Sequence, residues 1–423
     1  MREILIMTFS NLIKSGDNIF IHGAAATPSV LIDQLVQMAP HLKDVTIYHL
    51  HTYGDVNYAK PEMAGSFNVV NLFVGSNIRN YMNYDRVDYL PCFLSEIGQL
   101  FRSRKIALDV ALVHVSPSDQ QGFCSLGTSV DVARAAVDSA KIVIAQVNPQ
   151  MPRTHGDGFV PVSKINFEID IDQPLFTSKA SIPTEAELNI GKFISELVED
   201  GSTLQTGIGA VPDAALDALK HHRNLGLHSE MWSNHALELI KKGIIDNSRK
   251  KVHPGKSVAA FVTGDKELFQ FVHDNPSTLF LEASYVNQPN TIARNPKVVA
   301  INSCVEMDLT GQVCADSVGP KIISGVGGQM DFLRAAVLSE GGKPIMAMTS
   351  RSAKGFPKIR CHLRPGSGVV TTRSHIHWVV TEYGRVDLAG LTLNQRAKAL
   401  IQISHPEDRE KLTYDWQQMI QTI

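Results

Sequence analysis

Short apolar runs alternate with longer amphipathic stretches along most of the chain. The apolar runs are nearly continuous rather than alternating, which is typical of strands buried on both faces of a sheet. This pattern predicts strands at 18–22, 107–115, 141–147, 203–206, 257–262, 298–301 and 379–381. The helical spacing of apolar positions predicts helices at 29–38, 130–139, 185–200, 213–221, 232–242 and 331–338. Alternating strands and helices indicate an α/β fold with parallel or mixed sheets.

Two stretches of the chain repeat one another. Residues 18–35 (NIFIHGAAATPSVLIDQL) and 202–219 (STLQTGIGAVPDAALDAL) both read as a strand, a glycine turn, a proline and a helix, 184 residues apart. The segments DQQG at 119–122 and DLTG at 308–311 follow apolar runs and lie 189 residues apart. This repetition predicts an internal duplication, with two similar open α/β domains at residues 1–180 and 181–423. A cleft between two such domains is a common place for a ligand site.

Composition limits the function classes. Of the 423 residues, 43% are hydrophobic and 19% are charged, so large cores can form and disorder is excluded as the main state. The formal net charge of −2 argues against a protein that mainly binds nucleic acid or an anionic membrane. No run of ~18 or more apolar residues suggests a membrane span, and polar residues interrupt positions 1–14, so no signal peptide is indicated. We expect a cytoplasmic location, and a homodimer or larger homo-oligomer is one expectation for the assembly.

Cysteine and histidine patterns give no sign of a metal or disulfide framework. The five cysteines are odd in number and form no C-x-x-C, and the 16 histidines form no H-E-x-x-H. We expect ordinary buried thiols and no metal site.

Two glycine-rich segments each lead into a predicted helix, at 205–212 (QTGIGAVP) and 324–330 (SGVGGQM). Glycines let the main chain approach a ligand closely, and helix N-terminal amides favour an anion or a polarised carbonyl oxygen. A tight structural turn explains each segment equally well. The first segment is not a dinucleotide fingerprint, because Pro212 occupies the position of the third glycine.

Several catalytic motifs are excluded. Lys250 stands where a P-loop ending in GKS at 255–257 would need its first glycine, and no G-x-S-x-G nucleophile elbow occurs.

Two further features are candidates for the site. Glu230, in LHSEMWSNH at 227–235, precedes a predicted helix; such a carboxylate usually stabilises the helix end by ~0.3–1 kcal/mol. The stretch 351–373 carries six lysines and arginines and no acidic residues. It is either a solvated loop or a mobile positive lid over a phosphate-bearing ligand.

Taken together, these segments resemble the acetyl-CoA hydrolase/transferase family, that is, the family I coenzyme A transferases. The resemblance covers nearly the whole chain, in order. It rests on nine segments: 109–119 (DVALVHVSPSD), 122–131 (GFCSLGTSVD), 147–156 (VNPQMPRTHG), 207–216 (GIGAVPDAAL), 228–233 (HSEMWS), 301–313 (INSCVEMDLTGQV), 324–332 (SGVGGQMDF), 379–390 (VVTEYGRVDLAG) and 403–412 (ISHPEDREKL).

The resemblance implies two open α/β domains with the active site between them, and Glu230 as the catalytic nucleophile. It implies coenzyme A as substrate and covalent intermediate, with no tightly bound cofactor. The coenzyme A contacts that it implies are Gln205, Thr206, Gly207, Ile208, Gly209, Asn302, Gly325, Gly327 and Gly328. Within the family, the segments are most similar to 4-hydroxybutyrate and butyrate coenzyme A transferases. The implied reaction is transfer of coenzyme A between acetyl-CoA and 4-hydroxybutyrate or butyrate, by ping-pong kinetics through a glutamyl-CoA thioester.

Three other functions remain as alternatives. An acyl-CoA hydrolase would use the same fold and the same glutamate, and the sequence separates it poorly from a transferase. A non-catalytic acyl-CoA sensor is disfavoured by Glu230 and both glycine loops. A sugar-phosphate isomerase would need an acid/base pair at a small phosphate site, for which no motif is present.

Overall fold

The computed structural model describes residues 9–178 and 182–422 and divides into two compact units. Among these residues, the first unit takes in 9–178 and 258–286, and the second takes in 182–257 and 287–422. The predicted domain boundary between residues 180 and 181 lies outside the described residues, as do positions 1–8, where no signal peptide was expected. No helix in the described part of the chain is long and apolar enough to cross a membrane.

The first unit is built on a parallel sheet. Its strands are β1 (Asn18–Ile21), β2 (Val45–His49), β3 (Phe67–Asn71), β4 (Val87–Tyr89), β5 (Val110–Val115), β7 (Ile142–Val147) and β9 (Phe167–Asp170). They lie in the order β4-β3-β2-β1-β5-β7-β9, and every neighbouring pair is parallel. Every residue of β5 is buried, as expected for a strand covered on both faces. The predicted α/β class with a parallel sheet is therefore confirmed.

Helices and short strands complete the first unit. Its helices, numbered in chain order, are α1 (Ser29–Gln37), α2 (Leu94–Arg102), α3 (Ala133–Ser139), α7 (Lys266–Val272) and α8 (Ala283–Val286). The strands β6 (Phe123–Ser125) and β8 (Phe159–Pro161) form an antiparallel pair. The predicted strand at 257–262 is divided into β13 (Ser257–Ala259) and β14 (Phe261–Val262), and β13 pairs with β15 (Thr278–Phe280).

The second unit is built on a mixed sheet. Its strands are β10 (Thr203–Thr206), β11 (Gly226–Leu227), β12 (Met231–Trp232), β16 (Val298–Asn302), β21 (Lys343–Ala347), β23 (Trp378–Thr381) and β24 (Gly384–Asp387). Within this unit the order is β12-β10-β16-β21-β23-β24, and β11 also pairs with β10. The inner strands β10, β16, β21 and β23 run parallel, whereas β12 and β24 are antiparallel to their neighbours.

Smaller sheets and helices surround this mixed sheet. The strand β17 (Glu306–Asp308) lies between β18 (Val313–Cys314) and β22 (Ile359–Arg360), and β19 (Ser317–Val318) pairs with β20 (Lys321–Ile322). The helices are α4 (Glu185–Ser195), α5 (Ala210–Asp217), α6 (Asn234–Lys241), α9 (Pro289–Ile292), α10 (Gln329–Leu338), α11 (Leu393–Gln402) and α12 (Pro406–Gln421). A capping box starts α4 at the predicted residue, because Thr184 and Glu187 bond each other's main-chain amides.

The two short repeats have the same local structure in both units. In the repeats at 18–35 and 202–219, a glycine turn joins a strand to a helix: β1 to α1 in the first, and β10 to α5 in the second. Asp119 Oδ1 accepts hydrogen bonds from the amides two and four residues later, at 3.0 and 2.9 Å. Asp308 Oδ1 does the same, at 2.9 and 3.0 Å. The glycine three residues after each aspartate has a positive φ, 80° at Gly122 and 96° at Gly311, so these repeats specify one turn type twice.

Candidate active site

The predicted site residues gather at the carboxyl end of the parallel strands in the second unit. Thr206 ends β10 and Asn302 ends β16, and the two strands pair so that Thr206 lies beside Ile301. The ladder continues one residue further, where the Gly207 amide donates to Ile301 O at 3.0 Å. The loops that follow the two strands therefore begin side by side. The carboxyl edge of parallel strands is where α/β folds usually bind ligands.

Glu230 lies at a chain reversal beside the same edge. The chain runs parallel to β10 in β11 and then returns antiparallel in β12, where Met231 pairs with Thr206. Glu230 immediately precedes Met231. Ser229 fixes the reversal, because its Oγ accepts from the Thr206 amide and donates to Thr206 O, both at 3.2 Å. Glu230 is thus placed next to the start of the first glycine loop.

Asn287 holds the Glu230 carboxylate. Its Nδ2 donates to Glu230 Oε2 at 2.7 Å, and the asparagine side chain is fully buried. A hydrogen bond to a carboxylate favours the ionised form, which is the form able to attack a carbonyl carbon. Asn287 was not predicted from the sequence, because it is 57 residues from Glu230 and belongs to no recognisable motif.

The second glycine loop packs directly on this pair. A Cβ atom at Gly328 would collide with Glu230 Oε2 and with Asn287 Nδ2. Glycine is therefore required at position 328, because the main chain there approaches the Glu230 carboxylate closely. Gly325 and Gly327 are buried in the same loop. Gln329, which follows Gly328, ties the loop to the end of β16, because its Nε2 donates to Ser303 O at 2.8 Å.

Gln205 and Asn302 form a reciprocal amide pair. Asn302 Nδ2 donates to Gln205 Oε1 at 2.9 Å, and Gln205 Nε2 donates to Asn302 Oδ1 at 3.4 Å. A Cβ atom at Gly207 would lie 3.9 Å from Asn302 Oδ1, so the pair also contacts the first glycine loop. Gln205, Thr206 and Asn302 are buried. These three side chains support the first glycine loop from its buried side.

The tip of the first glycine loop is open. Ile208 is 59% exposed, and Gly209 has φ = 125°, a conformation that side-chain-bearing residues rarely adopt. Gly209 and Gly328 are the N-caps of α5 and α10, and no described side chain caps either helix. Both helices thus offer main-chain N–H groups suited to a developing oxyanion. Ile208 and Gly209 are the exposed residues of this loop, and their contact with coenzyme A stays a prediction.

A buried lysine supports the strand that leads to Glu230. Lys250 Nζ donates to Leu227 O at 2.8 Å and to Lys256 O at 2.6 Å. Burial lowers the pKa of Lys250 to about 7. Because Leu227 ends β11 three residues before Glu230, Lys250 braces the start of the reversal. In the sequence, Lys250 is recognisable only as the residue that breaks a P-loop pattern, so this role was not predicted.

Three cations of the basic stretch have carboxylate partners within the second unit. Arg351 bridges to Glu407 at 2.8 Å and to Asp408 at 2.7 Å. Arg360 and Arg364 approach Glu306 at 3.8 and 3.4 Å. A lid over a phosphate-bearing ligand therefore stays a prediction for this stretch. Among the described residues, no group of three His, Cys, Asp or Glu is placed to hold a metal ion.

Comparison with known protein families identifies the family of this chain. Residues 6–181 match the acetyl-CoA hydrolase/transferase N-terminal domain, and residues 264–416 match the acetyl-CoA hydrolase/transferase C-terminal domain. The chain belongs to the acetyl-CoA hydrolase/transferase family. The resemblance drawn from the sequence is confirmed.

Individual members of this family are similar over nearly the whole chain. A succinyl-CoA:acetate/propanoyl-CoA:succinate CoA transferase of Fasciola hepatica is 50% identical over 95% of this chain and 84% of its own. A 4-hydroxybutyrate coenzyme A transferase of Clostridium kluyveri is 46% identical over 93% of this chain and 92% of its own. The crystal structure of a 4-hydroxybutyrate CoA-transferase from Porphyromonas gingivalis, 35% identical, superposes with a TM-score of 0.84 over 98% and 97% of the two chains. The chain is an enzyme of the CoA-transferase class.

Proposed function

We propose that this family member moves coenzyme A between acetyl-CoA and a short carboxylic acid, 4-hydroxybutyrate or butyrate, through a covalent intermediate on Glu230. The observation that carries the proposal is the setting of the Glu230 carboxylate. It is held by Asn287 at 2.7 Å and lies against the main chain at Gly328. A carboxylate in van der Waals contact with a glycine loop at a helix N-terminus is suited to attack on a carbonyl carbon and not merely to helix stabilisation.

The chemistry follows in balanced steps. The Glu230 carboxylate attacks the thioester carbonyl carbon, and the carbon–sulfur bond breaks to give a mixed anhydride and coenzyme A thiolate. The thiolate attacks the glutamyl carbonyl carbon, which forms an enzyme thioester and releases the first acid as its carboxylate. A second carboxylate then attacks this thioester, and the same two steps run in reverse. No proton has to be gained or lost overall, so a single carboxylate suffices as the reacting protein group.

Main-chain amides stabilise the charge that develops on the carbonyl oxygen. The candidate donors are the N–H groups at the start of α5, after Gly209, and at the start of α10, after Gly328. One preorganised donor of this kind typically contributes about 3–4 kcal/mol to transition-state stabilisation. Asn287 is a further donor, since its Nδ2 already points at the reacting carboxylate.

Access of water to the intermediates determines whether the enzyme acts as a transferase or as a hydrolase. Every intermediate is an activated acyl group, so access of water to the glutamyl thioester would produce an acyl-CoA hydrolase with the same residues. Exclusion of water and positioning of the acceptor acid favour transfer, because a well-held acceptor reaches an effective molarity of roughly 10⁵ M or more.

The relatives indicate the chemical class of the acid that accepts coenzyme A. The relatives at 50% and 46% identity are named for different short acids: succinate, acetate and propanoate in one case, and 4-hydroxybutyrate in the other. All are short carboxylic acids, which supports a short carboxylic acid as the acceptor. A cytoplasmic location and the absence of nucleic-acid and membrane partners stay predictions.

The proposal is tested by incubating the protein with acetyl-CoA and, separately, acetate (as isotopically labelled acid), propanoate, butyrate, 4-hydroxybutyrate or succinate. We expect a new thioester with at least one acid, and little free thiol when no acid is present. Glu230→Gln should abolish exchange. Glu238→Gln is the matched control, since Glu238 lies on α6 with its side chain 53% exposed. Thiol release that is independent of any acid would instead identify a hydrolase.

A further inference from the structure

The side chain of Gln329 connects its own loop to two other segments of the second unit. Its Nε2 donates a hydrogen bond to Ser303 O at 2.8 Å, one residue after the end of β16. Its Oε1 accepts a hydrogen bond from the Thr371 hydroxyl at 3.0 Å. Because a main-chain oxygen can only accept, Ser303 fixes which end of the carboxamide faces Thr371. Both ends of the Gln329 carboxamide are therefore held in a defined orientation.

Gln329 lies at the end of the second glycine loop, next to the residue that packs on Glu230. That residue is Gly328, where an added Cβ atom would collide with Glu230 Oε2 and with Asn287 Nδ2. The helix α10 begins at Gln329, so its main-chain N–H is the first of the candidate donors to a developing oxyanion. The side-chain contacts of Gln329 thus fix a residue whose own main chain adjoins the reacting carboxylate.

The second glycine loop needs such contacts, because its main chain is permissive. Three of its residues are glycines, which restrict the main chain little, and Gly327 has φ = 56°. At the start of the loop, the amides of Ile323 and Ser324 donate to Asp316 O at 2.8 and 3.0 Å. At its other end, the Gln329 carboxamide supplies two further hydrogen bonds. The loop is therefore anchored on both sides of its glycines.

Thr371, which donates to Gln329, belongs to the basic stretch 351–373 and is itself held in place. Its side chain is buried, and the amide of Val313 donates to Thr371 O at 3.0 Å. Two residues later, Arg396 Nη1 donates to Arg373 O at 2.6 Å. The end of the basic stretch is therefore a fixed support for the second glycine loop.

We propose that Gln329 is a positioning residue for the transfer reaction, a role that rests on the proposed function. Its carboxamide sets the place of the Gly328 main chain against the Glu230 carboxylate. The hydrogen bonds to Ser303 and from Thr371 hold the carboxamide itself. Loss of either bond loosens the loop and disturbs the geometry of attack, so it lowers kcat more than it raises KM.

The first test measures amide hydrogen exchange in peptides that cover residues 324–330, which requires no turnover. Thr371→Val removes the hydroxyl of a buried side chain, whereas Thr371→Ser keeps it. We expect roughly tenfold faster exchange in Gln329→Ala and Thr371→Val, and exchange close to that of the wild type in Thr371→Ser. Thr372→Val is the matched control, because this hydroxyl belongs to an exposed residue and is hydrogen-bonded to His375 Nδ1 instead. Equal exchange in all of these proteins would overturn the proposal, whether or not the protein transfers coenzyme A.

The second test measures the kinetics of the same variants with acetyl-CoA and the acid that gives the fastest exchange. Transfer by the wild type and its loss in Glu230→Gln first establish the reaction. We then expect kcat to fall roughly tenfold in Gln329→Ala and Thr371→Val at a nearly unchanged KM for acetyl-CoA, and Thr371→Ser to keep the wild-type kcat. A wild-type kcat in both impaired variants would overturn the positioning role and leave the proposed function intact. Absence of transfer by the wild type would contradict both.

A double variant shows whether the two residues act as one unit. Because Thr371 acts through the carboxamide, Gln329→Ala combined with Thr371→Val should be no slower than Gln329→Ala alone. Independent losses, which would multiply to a roughly 100-fold lower kcat, would contradict the proposal.

Discussion

The carboxamide of Asn287 donates a hydrogen bond to the carboxylate of Glu230, with 2.7 Å between Nδ2 and Oε2. Asn287 lies just before α9, and Glu230 lies at the reversal between β11 and β12, so only the folded second unit brings them together. The same carboxylate oxygen lies against Gly328. Three distant segments therefore converge on one atom of the proposed nucleophile.

Replacement of Asn287 should impair turnover without unfolding the protein. Asn287→Ala removes a hydrogen bond to a charged group, worth about 1.5–3 kcal/mol. This corresponds to a roughly 10- to 100-fold lower kcat. Asn287→Asp should lower kcat further, since a second carboxylate disfavours the ionised form of Glu230. The acid limb of its pH–rate profile should move to higher pH. Steady-state kinetics between pH 5 and 9 check both results. Unchanged kcat in both variants would contradict the role of Asn287.

A methyl group at Gly328 should displace the reacting carboxylate. The added Cβ of Gly328→Ala would collide with both Glu230 and Asn287. Misplacement by about 1 Å is enough for a roughly 100-fold loss of activity. Gly368→Ala is the matched control, because its Cβ would meet Asp316 at an ordinary 3.5 Å. We expect the two variants to melt at similar temperatures and to differ in kcat. Equal activity would show that Gly328 does not approach the reacting group.

Because Lys250 is buried, the free energy of unfolding should depend on pH in the alkaline range. Burial lowers its pKa from 10.5 to about 7, so the unfolded state binds more protons than the folded state between these values. Stability contributed by this residue therefore rises with pH across that window, by at most about 1.4 kcal/mol per pH unit. Lys250→Met should remove this slope in urea unfolding between pH 7.5 and 9.5.

The same substitution removes the hydrogen bonds from Lys250 Nζ to Leu227 O and Lys256 O, which should cost about 1–3 kcal/mol at pH 7. Lys251→Met is the control, because Lys251 is exposed and adjacent in sequence. It should change stability by less than about 0.5 kcal/mol. An alkaline slope that persists in Lys250→Met would contradict the buried, neutralised lysine.

Buried histidines in the first unit should make the protein acid-labile. Burial lowers the pKa of His49 to about 4 and that of His114 to about 3. The unfolded state binds more protons from these values up to 6.5, so stability is lost as pH falls below 6.5. At pH 5 each histidine should cost about 2 kcal/mol relative to neutral pH.

His49 is the better residue to replace, since its hydrogen bonds define a neutral ring. Its Nδ1 donates to Leu50 O at 3.0 Å, which leaves Nε2 to accept from the Tyr58 hydroxyl at 3.1 Å. His49→Gln should reduce the stability difference between pH 7 and pH 5 by about 2 kcal/mol. His221→Gln, at an exposed position, should leave it unchanged. Equal pH dependence in all three proteins would refute this source of acid lability.

The sequence predicted the fold class and the strands that carry the site more accurately than the remaining elements. The strand at 203–206 has the predicted bounds, because Gly201 and Gly207 flank the stretch TLQT closely on both sides. Strands β2 and β3 were missed, since VTIYH and FNVVN contain polar residues that weaken the apolar signal. The helix predicted at 213–221 occupies Ala210–Asp217 instead, because Pro212 is tolerated in a first turn.

The site was predictable only in part, for a physical reason. Glu230 and the two glycine loops were predicted as site residues because their local sequences resemble a known family. Asn287, Ser229 and Lys250 act through hydrogen bonds whose partners are distant in sequence or lie on the main chain. Such contacts leave no periodicity or spacing in the sequence. Residues 258–286 belong to the first unit, and no periodicity or spacing in the sequence marks their return to it.

The most direct measurement concerns the covalent state of Glu230 during turnover. Wild-type protein is mixed with acetyl-CoA, trapped with borohydride, digested and analysed by mass spectrometry. The account predicts that the side chain at position 230 is reduced to an alcohol in the trapped sample, and that hydroxylamine converts the same side chain to a hydroxamate. A peptide that keeps an unmodified Glu230 under both reagents, while acid-dependent exchange proceeds at its full rate, would contradict the covalent mechanism.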